Sequence, residues 1–210
     1  MMKNTGHFIT IEGTEGMGKS TAMHCIEQFL VNNQFDYLMT REPGGTEIAE
    51  EIRKIILQHY NETMNSETEL LLYFAARLQH VSALIKPALA QGKIVVSDRF
   101  TDASYAYQGG GRQLSIKHIE LLEEHFVGGL QPDMTILLDA PVEIGLTRIQ
   151  ARGEPDRMES ERQDFYERVR SAYHQRAQAH PERFVIIDAT AMVSEVEAKV
   201  QSALEARLSK

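Results

Sequence analysis

The feature that most constrains this fold is a glycine-rich segment at residues 13–20, with the pattern glycine, four residues, glycine, lysine, serine. The apolar run before it, at residues 8–11, predicts a β-strand, and the residues from Thr21 onward predict a helix. Between a strand and a helix, the glycines let backbone N–H groups surround a phosphate, and the helix amino terminus adds partial positive charge. The segment therefore predicts a phosphate-binding loop, in which Lys19 reaches the outer phosphates and the Ser20 hydroxyl ligates Mg²⁺.

The rest of the chain alternates between predicted strands and predicted helices. Four further apolar segments predict strands, at residues 37–40, 93–97, 134–138 and 184–187. Nearly continuous apolar strands that are separated by helices are typical of a parallel sheet buried on both faces. We therefore predict one domain over residues 1–210 with a three-layer α/β fold, in which helices flank a five-stranded parallel sheet. The polar segment at about residues 150–162 interrupts two helical patterns and is predicted to be a mobile lid.

Three helix starts are predicted from capping residues. Ser66 with Glu69 and Ser194 with Glu197 have the spacing of a capping box, in which a serine and a glutamate satisfy free N–H groups at the start of a helix. Ser115 is predicted to cap a third helix.

Composition argues against several classes of function. The formal net charge of −8 argues against a broad nucleic-acid-binding surface. No apolar run approaches the length of a transmembrane helix, and no cleavable signal is expected before the first strand. Cys25 is the single cysteine, so an internal disulfide is excluded, and the histidines have no zinc-ligand spacing. We therefore expect a cytoplasmic protein without a nucleic-acid or membrane partner.

Polar side chains follow the second and third predicted strands. Arg41 stands near two glycines and can present its guanidinium to a phosphate, although a surface arginine beside a turn has the same pattern. At the third strand, Asp98 can hold Mg²⁺ and Arg99 can neutralise a phosphate. A buried structural ion pair is the alternative for these two residues. Because the carboxyl ends of parallel strands collect ligands, we expect these groups near the phosphate-binding loop.

Arginines are concentrated around the predicted lid. Arg148 and Arg152 are four residues apart and share a helix face, and Arg157 follows within the lid. Together they can close over a polyphosphate, or they can form a solvated face that pairs with neighbouring acidic side chains. The phosphate-binding loop favours the first interpretation.

A second pocket is indicated by aromatic and polar residues. Phe74 and Arg77 are three residues apart on one helix, so the ring can stack on a nucleobase while the arginine donates to its carbonyl edge. The alternative, that Phe74 belongs to the core and Arg77 to the surface, is favoured by the helix pattern alone. Tyr107 and Gln108 precede a run of three glycines, which can lie close to a ligand or form a flexible turn.

Together, a phosphate-binding loop, a lid and an arginine-lined pocket indicate phosphoryl transfer between two bound phosphorylated molecules. Such catalysis consists largely of positioning and charge neutralisation. An acceptor that is a phosphate monoester is mostly ionised near neutral pH, because its second pKa is about 6. The absence of an obvious general base in the sequence is therefore consistent with this reaction.

Several segments resemble the bacterial thymidylate kinases, in the family's order, from residue 9 to about residue 189. The most specific are Arg-Glu-Pro-Gly-Gly-Thr at 41–46 and Tyr-Gln-Gly-Gly-Gly-Arg at 107–112. The others are the loop at 11–20, Phe-Ala-Ala-Arg at 74–77, Asp-Arg-Phe at 98–100 and Arg-Gly-Glu-Pro-Asp-Arg at 152–157. The resemblance implies a P-loop kinase fold and Mg²⁺-dependent transfer of the ATP γ-phosphate to dTMP in dTTP synthesis. It also implies a homodimer whose interface includes the helix bearing Phe74.

The resemblance further implies roles for individual residues. The ATP-binding residues would be Gly13, Thr14, Glu15, Gly16, Met17, Gly18, Lys19, Ser20, Thr21 and Arg148. The dTMP-binding residues would be Arg41, Pro43, Phe74, Arg77, Arg99, Ser104, Tyr107 and Gln108. The Mg²⁺ ligands would be Ser20 and Asp98, and the catalytic residues would be Lys19, Glu15, Arg99, Arg152 and Arg157. The chain is thus similar to those members whose catalytic arginine lies in the lid.

Two alternatives to this function stay open at the level of sequence. The acceptor could be another nucleoside monophosphate or a deoxynucleoside, and for a deoxynucleoside Glu12 or Glu15 could serve as the general base. The chain could also be a nucleotide-dependent switch that hydrolyses slowly, although it lacks the Asn-Lys-x-Asp segment that recognises guanine.

Overall fold

The sheet of this protein consists of parallel strands. The computed structural model describes residues 6–151 and 155–208. The strands within these ranges are β1 (Phe8–Glu12), β2 (Tyr37–Arg41), β3 (Ile94–Asp98), β4 (Met134–Asp139) and β5 (Phe184–Asp188). Their order across the sheet is β2-β3-β1-β4-β5, and each neighbouring pair is parallel. The five-stranded parallel sheet that the sequence predicts is confirmed.

The central strand positions the phosphate-binding loop. In β1, Ile9 lies opposite Val96 of β3 on one side and Met134 of β4 on the other. Every residue of β1 is buried, as the apolar pattern predicts for a strand with neighbours on both sides. The chain therefore leaves β1 in the middle of the carboxyl edge of the sheet, which is where open α/β sheets bind ligands.

Helices connect the strands. The α-helices are α1 (Lys19–Asn32), α2 (Glu47–Leu57), α3 (Ser66–His80), α4 (Lys86–Ala90), α5 (Thr101–Ser104), α6 (Ile116–Leu122), α7 (Val142–Gln150), α8 (Gln163–Ala179) and α9 (Val193–Leu208). The π-helical segments Val81–Ile85, Tyr105–Gly111 and Glu123–Val127 continue α3, α5 and α6, respectively. In the described part of the chain, no helix is long and apolar enough to cross a membrane.

Apolar side chains on the two faces of the sheet form the core. Ile9 and Ile11 of β1 face a cluster that includes Ile26 of α1 and Leu204 of α9. Phe8, on the opposite face of β1, packs with side chains of α3 and of the π-helical segment that follows it. Helices therefore cover both faces of the sheet, which confirms the predicted three-layer α/β architecture.

The start of α3 differs from the prediction. Asn65, rather than Ser66, caps this helix, because its Oδ1 accepts hydrogen bonds from the backbone N–H groups of Glu67 (2.9 Å) and Thr68 (3.1 Å). Glu69 does not complete a capping box, since its carboxylate is buried and accepts hydrogen bonds from arginine side chains instead. The predicted capping box is therefore wrong, although the helix itself begins at Ser66.

The two other predicted caps also require correction. The carbonyl oxygen of Met192 already accepts hydrogen bonds from the N–H groups of Glu195 and Val196, so α9 begins before Ser194. The capping box of Ser194 and Glu197 is therefore wrong. Ser115 does precede α6, as predicted, but its hydroxyl makes no capping hydrogen bond.

Candidate active site

A cleft of about 420 Å³ opens at the carboxyl edge of the sheet. Residues 15–18, between β1 and α1, and residues 19–21, in the first turn of α1, form part of its wall. Arg41 and Pro43 line it at the end of β2, and Asp98 and Arg99 line it at the end of β3. The other predicted substrate residues in the wall are Arg77, Ser104, Tyr107 and Gln108. The fold therefore brings together most of the residues that the sequence singles out.

The phosphate-binding loop takes its shape from glycines in the left-handed conformation. Gly16 has a φ of 74° and Gly18 a φ of 87°, values that other residues rarely adopt. A Cβ at Gly16 would also collide with the backbone of Gly145 in α7, whereas a Cβ at Gly18 would meet open space. Gly18 directly precedes α1, so the free N–H groups of the first helical turn lie at the cleft.

Lys19 lies under this loop. Its Nζ donates to the carbonyl oxygens of Gly13 (3.3 Å) and Thr14 (3.1 Å) and lies 3.7 Å from Glu15 Oε2. Burial, and then the charge of Arg99, lowers the pKa of Lys19. A bound phosphate anion would favour the charged form of Lys19, because its negative charge opposes the effect of burial. The ammonium in turn attracts a phosphate to the loop.

Arg99 is the centre of a polar network at the end of β3. Its Nη2 donates to Glu15 Oε1 (2.6 Å) and to the Tyr107 hydroxyl (2.9 Å), and its Nη1 donates to the Tyr173 hydroxyl (3.2 Å). Its backbone is left-handed, with a φ of 72°, which is uncommon for a residue with a side chain. Burial alone would lower the pKa of Arg99, but the charge of Glu15 holds it well above its usual value. The guanidinium therefore remains charged in the wall of the cleft.

Asp98 has the properties of a magnesium ligand. Its Oδ1 is buried and has no hydrogen-bond partner among the described residues, and Asp98 and Ser20 line the same cleft. A buried polar atom without a partner is unfavourable unless a ligand or water satisfies it. Within the described ranges, no group of three or more His, Cys, Asp or Glu side chains could enclose a metal ion. Asp98 and Ser20 offer oxygen atoms of the kind that Mg²⁺ binds, since this ion uses one or two protein groups together with phosphate oxygens and water.

Two arginines from β2 and α2 lie at the cleft. Arg41 is exposed, and its Nη2 contacts both carboxylate oxygens of Glu50 (3.1 and 3.0 Å). Arg53 donates to the carbonyl oxygen of Pro43 (2.9 Å) and lines the same cleft. Sequence reasoning missed Arg53. No sequence motif distinguishes Arg53 from the neighbouring charged residues of α2.

Arg77 is a buried charge in the wall of the cleft, so the surface alternative for it is wrong. Its Nε donates to Glu42 Oε2 (2.6 Å), its Nη1 to the Ser104 hydroxyl (2.9 Å) and its Nη2 to the carbonyl oxygen of Phe100 (3.0 Å). Glu42 Oε1 in turn contacts His80 Nδ1 (3.0 Å). A guanidinium has five N–H groups, so Arg77 is fixed in place and still retains donors for a ligand.

The aromatic ring at this end of the cleft belongs to Tyr73 rather than to Phe74. Phe74 is 3% exposed and packs in the core with Leu70 and Val81, as in the core alternative that the helix pattern alone favours. Tyr73 lines the cleft together with Arg77. Sequence reasoning missed Tyr73. The sequence signal was its spacing of four residues from Arg77, which places the two side chains on one helix face. The apolar pattern of the helix also placed Phe74 on the face that packs in the core.

Part of the predicted lid lies over the cleft. The lid residues in the cleft wall are Asp156, Met158 and Glu159. Arg157 donates from Nε to the carbonyl oxygen of Ile56 (2.6 Å) and from Nη1 to Glu69 Oε2 (2.7 Å), and its Nη2 is buried without a partner in the described structure. Arg152, the other predicted catalytic arginine of the lid, lies outside the described residues.

Arg148 of α7 lies beside the phosphate-binding loop. Its Nη1 donates to the carbonyl oxygen of Gly16 (3.1 Å), and its Nη2 donates to that of Ala189 (3.3 Å). It therefore joins the helix that precedes the lid to the loop and to the turn after β5.

Comparison with known proteins agrees with this geometry. A sequence model of the thymidylate kinase family matches residues 11–200. A thymidylate kinase of Pseudomonas savastanoi is 52% identical over 200 residues, 95% of each chain, and one of Teredinibacter turnerae is 51% identical over 204 residues, 97% of this chain and 100% of its own. The crystal structure of thymidylate kinase from Ehrlichia chaffeensis has a TM-score of 0.76 and 31% identity, over 95% of this chain and 98% of its own. The chain therefore belongs to the thymidylate kinase family.

Proposed function

We propose that this protein transfers the γ-phosphate of ATP to dTMP, giving ADP and dTDP as a step in dTTP synthesis. The observation that carries this proposal is the cleft itself, which joins a phosphate-binding loop to a pocket lined by Tyr73, Arg77 and Gln108. Relatives that match nearly the whole chain are named thymidylate kinases, which supports dTMP as the acceptor.

ATP binds through the loop at residues 13–21 in this proposal. Backbone N–H groups of the loop and of the first turn of α1 surround the outer phosphates, and Lys19 neutralises the group in transfer. Arg148, which donates to the Gly16 carbonyl, lies where it can also contact the nucleotide. Ser20 and Asp98 would hold Mg²⁺, which supplies charge neutralisation between the phosphates when it is bound.

dTMP binds at the opposite end of the cleft. Arg41 and Arg99 bind its phosphate, which carries enough negative charge near neutral pH to attack without a general base. Tyr73 stacks on thymine in place of Phe74, because Tyr73 is the ring in the cleft wall. Arg77 donates to a thymine carbonyl from the N–H groups that its buried contacts leave free.

The remaining dTMP contacts belong to the sugar and to the walls of the pocket. Tyr107 crowds the position of a ribose 2′-hydroxyl, and its hydroxyl is held by Arg99 (2.9 Å). Glu15, which also binds Arg99, faces the sugar and the metal. Pro43, Ser104 and Gln108 complete the wall around the nucleotide.

The lid completes the catalytic machinery in this proposal. The segment at about residues 150–162 closes over the phosphates within a single domain of 210 residues, excludes water and thereby limits hydrolysis of ATP. Arg152 and Arg157 supply positive charge to the transition state. For Arg157, this role requires that it leave Glu69 and the end of α2, where it is bound in the present arrangement.

We also propose that the protein acts as a homodimer in the cytoplasm, without nucleic-acid or membrane partners. Leu71 and Leu78 of α3 are 57% and 40% exposed, respectively, which gives this helix an apolar surface for a second copy of the chain. The net charge of −8 supports the absence of a nucleic-acid partner.

The test is ADP formation from ATP and Mg²⁺ with dTMP, dUMP, UMP, dCMP, AMP, thymidine or no acceptor. We expect strong activity with dTMP, weaker activity with dUMP and little with the others. A preference for another nucleotide or for thymidine would overturn dTMP as the substrate. Release of ADP and phosphate without any acceptor would instead indicate a hydrolase or switch.

A further inference from the structure

Glu69 of α3 is a buried carboxylate that the roles above do not use. Its Oε1 accepts hydrogen bonds from Gln108 Nε2 (2.9 Å) and Arg112 Nε (3.1 Å). Its Oε2 accepts from Arg112 Nη2 (3.0 Å) and Arg157 Nη1 (2.7 Å). Each oxygen therefore carries two hydrogen bonds, which occupies the acceptor sites of the carboxylate.

This carboxylate is ionised at neutral pH. Burial alone would raise the pKa of Glu69, but the hydrogen bonds and charge of Arg112, with smaller contributions from Gln108 and Arg157, hold it below its usual value. An ionised carboxylate accepts hydrogen bonds and cannot donate them. The groups around Glu69 must therefore all turn donors toward it.

The ionised carboxylate of Glu69 determines how the side-chain amide of Gln108 is oriented. Because Glu69 only accepts, Gln108 must turn its NH₂ group toward Glu69, and its amide oxygen is left for the cleft that Gln108 lines. Within the described ranges, Gln108 Nε2 donates a hydrogen bond to Glu69, whereas the amide oxygen of Gln108 accepts none. This oxygen is not fully buried. Gln108 thus presents a hydrogen-bond acceptor to a ligand.

We propose that Glu69 is a positioning residue for base specificity, which acts by keeping the amide oxygen of Gln108 directed at the base. The inference rests on the proposed function. Thymine and uracil carry an N–H donor at ring position 3, whereas cytosine carries an acceptor nitrogen there. A fixed amide oxygen therefore pairs with the first two bases and leaves two acceptors facing each other with cytosine.

The same carboxylate joins the base pocket to the lid. Arg157 binds Glu69 and also donates to the Ile56 carbonyl at the end of α2, where the helix dipole favours a cation. Its charge is one of those that keep Glu69 ionised. While Arg157 is bound to Glu69, its charge therefore reinforces the orientation of Gln108.

The test compares kcat/KM for dTMP and dCMP in the full-length wild type, Glu69→Gln and Glu67→Gln. A neutral glutamine at position 69 offers a donor as well as an acceptor, so the amide of Gln108 is free to turn over. We expect the dTMP to dCMP ratio to fall by roughly tenfold or more in Glu69→Gln. Glu67 is exposed on the same helix, so Glu67→Gln removes the same charge and is expected to leave the ratio unchanged.

A second background separates positioning from a general structural effect. In Gln108→Ala, the ratio is expected to be low already, and Glu69→Gln is expected to lower it no further. An unchanged ratio in folded Glu69→Gln overturns the inference, as does the same additional fall in the Gln108→Ala background. If circular dichroism shows that Glu69→Gln does not fold, the test rests on Gln108→Ala. A wild-type ratio of dTMP to dCMP in that variant overturns the inference.

The outcome for the wild type separates this inference from the proposed function. A wild type that is inactive with dTMP contradicts the proposed function itself. An active wild type whose base discrimination survives Glu69→Gln contradicts the positioning role of Glu69 and leaves the kinase assignment intact.

Discussion

Lys19 combines burial with positive charge at the scale of a single residue. Its Nζ is held by the carbonyl oxygens of Gly13 and Thr14, which fixes it beneath the loop before any phosphate arrives. We predict that Lys19→Ala lowers kcat by about a hundredfold or more, because the lost ammonium neutralises charge on the phosphoryl group in transfer. The measurement is steady-state ADP formation with ATP and dTMP.

The matched control is Lys54→Ala. Lys54 is an exposed lysine of α2 that pairs with Glu51 (2.6 Å), and such surface pairs contribute little to stability. We expect this variant to keep the wild-type kcat. A Lys19→Ala enzyme with near-normal turnover would show that the loop does not act through its lysine.

Arg77 is expected to contribute both to the stability of the fold and to the recognition of thymine. Arg77→Ala leaves the carboxylate of Glu42 buried without its arginine, which is expected to lower the free energy of unfolding by about 3–5 kcal/mol. In protein that remains folded, we predict a larger increase in KM for dTMP than in KM for ATP. Urea denaturation and steady-state kinetics measure the two effects, and an increase confined to ATP contradicts the assignment of Arg77 to thymine.

The start of α3 shows how neighbouring residues compete for one role at the scale of an element. Ser66 and Glu69 have capping-box spacing, but Asn65 precedes them and accepts two backbone hydrogen bonds. Glu69 is drawn inward, where two arginines and Gln108 bind its carboxylate. Asn65 therefore replaces Ser66 as the cap of this helix. Tertiary contacts hold Glu69 away from the helix start, so it cannot complete a capping box.

We predict unequal effects of truncating the two candidate caps. Asn65→Ala removes the observed hydrogen bonds and is expected to lower the free energy of unfolding by about 1 kcal/mol. Ser66→Ala replaces the first helical residue, whose hydroxyl does not cap, and is expected to change it by a few tenths at most. Urea denaturation of both variants checks this, and the reverse order would reinstate Ser66 as the cap.

At the scale of the whole molecule, Glu12 links stability to pH. Its buried carboxylate accepts hydrogen bonds from the Phe100 N–H (2.7 Å) and the Tyr173 hydroxyl (2.7 Å). Burial, and then the charge of Asp102, raises its pKa from 4.5 to about 8, although Arg99 opposes the shift. Between these two values the folded protein binds a proton that the unfolded chain has lost. The contribution of Glu12 to the free energy of unfolding therefore falls as pH rises from about 4.5 through about 8 and levels off above.

We predict that Glu12→Gln removes this contribution. We expect the free energy of unfolding of the wild type, relative to that of the variant, to fall between about pH 5 and pH 9. The expected decrease is on the order of a few kcal/mol. Urea denaturation at a series of pH values measures it, with the exposed Glu62→Gln as the control that keeps the wild-type dependence. Parallel stability profiles for wild type and Glu12→Gln would contradict the raised pKa.

The homodimer is a second prediction at this scale. Leu71 and Leu78 are exposed on α3, and a charge at each would oppose burial against a second copy of the chain. We expect the double variant Leu71→Glu, Leu78→Glu to sediment as a monomer under conditions in which the wild type sediments as a dimer. A monomeric wild type contradicts the proposal directly.

The sequence by itself determined the strands, their alternation with helices and the phosphate-binding loop, because these follow from local periodicity and from glycines at defined spacing. It also indicated that residues at the strand ends would meet, since the carboxyl ends of parallel strands share one edge. The tertiary structure alone decided which side chains face the cleft. Phe74 and Tyr73 are adjacent in sequence, and packing against Leu70 and Val81 assigned one to the core and left the other at the cleft. Glu69 was likewise decided by residues distant in sequence, because Gln108, Arg112 and Arg157 reach its carboxylate only in the folded chain.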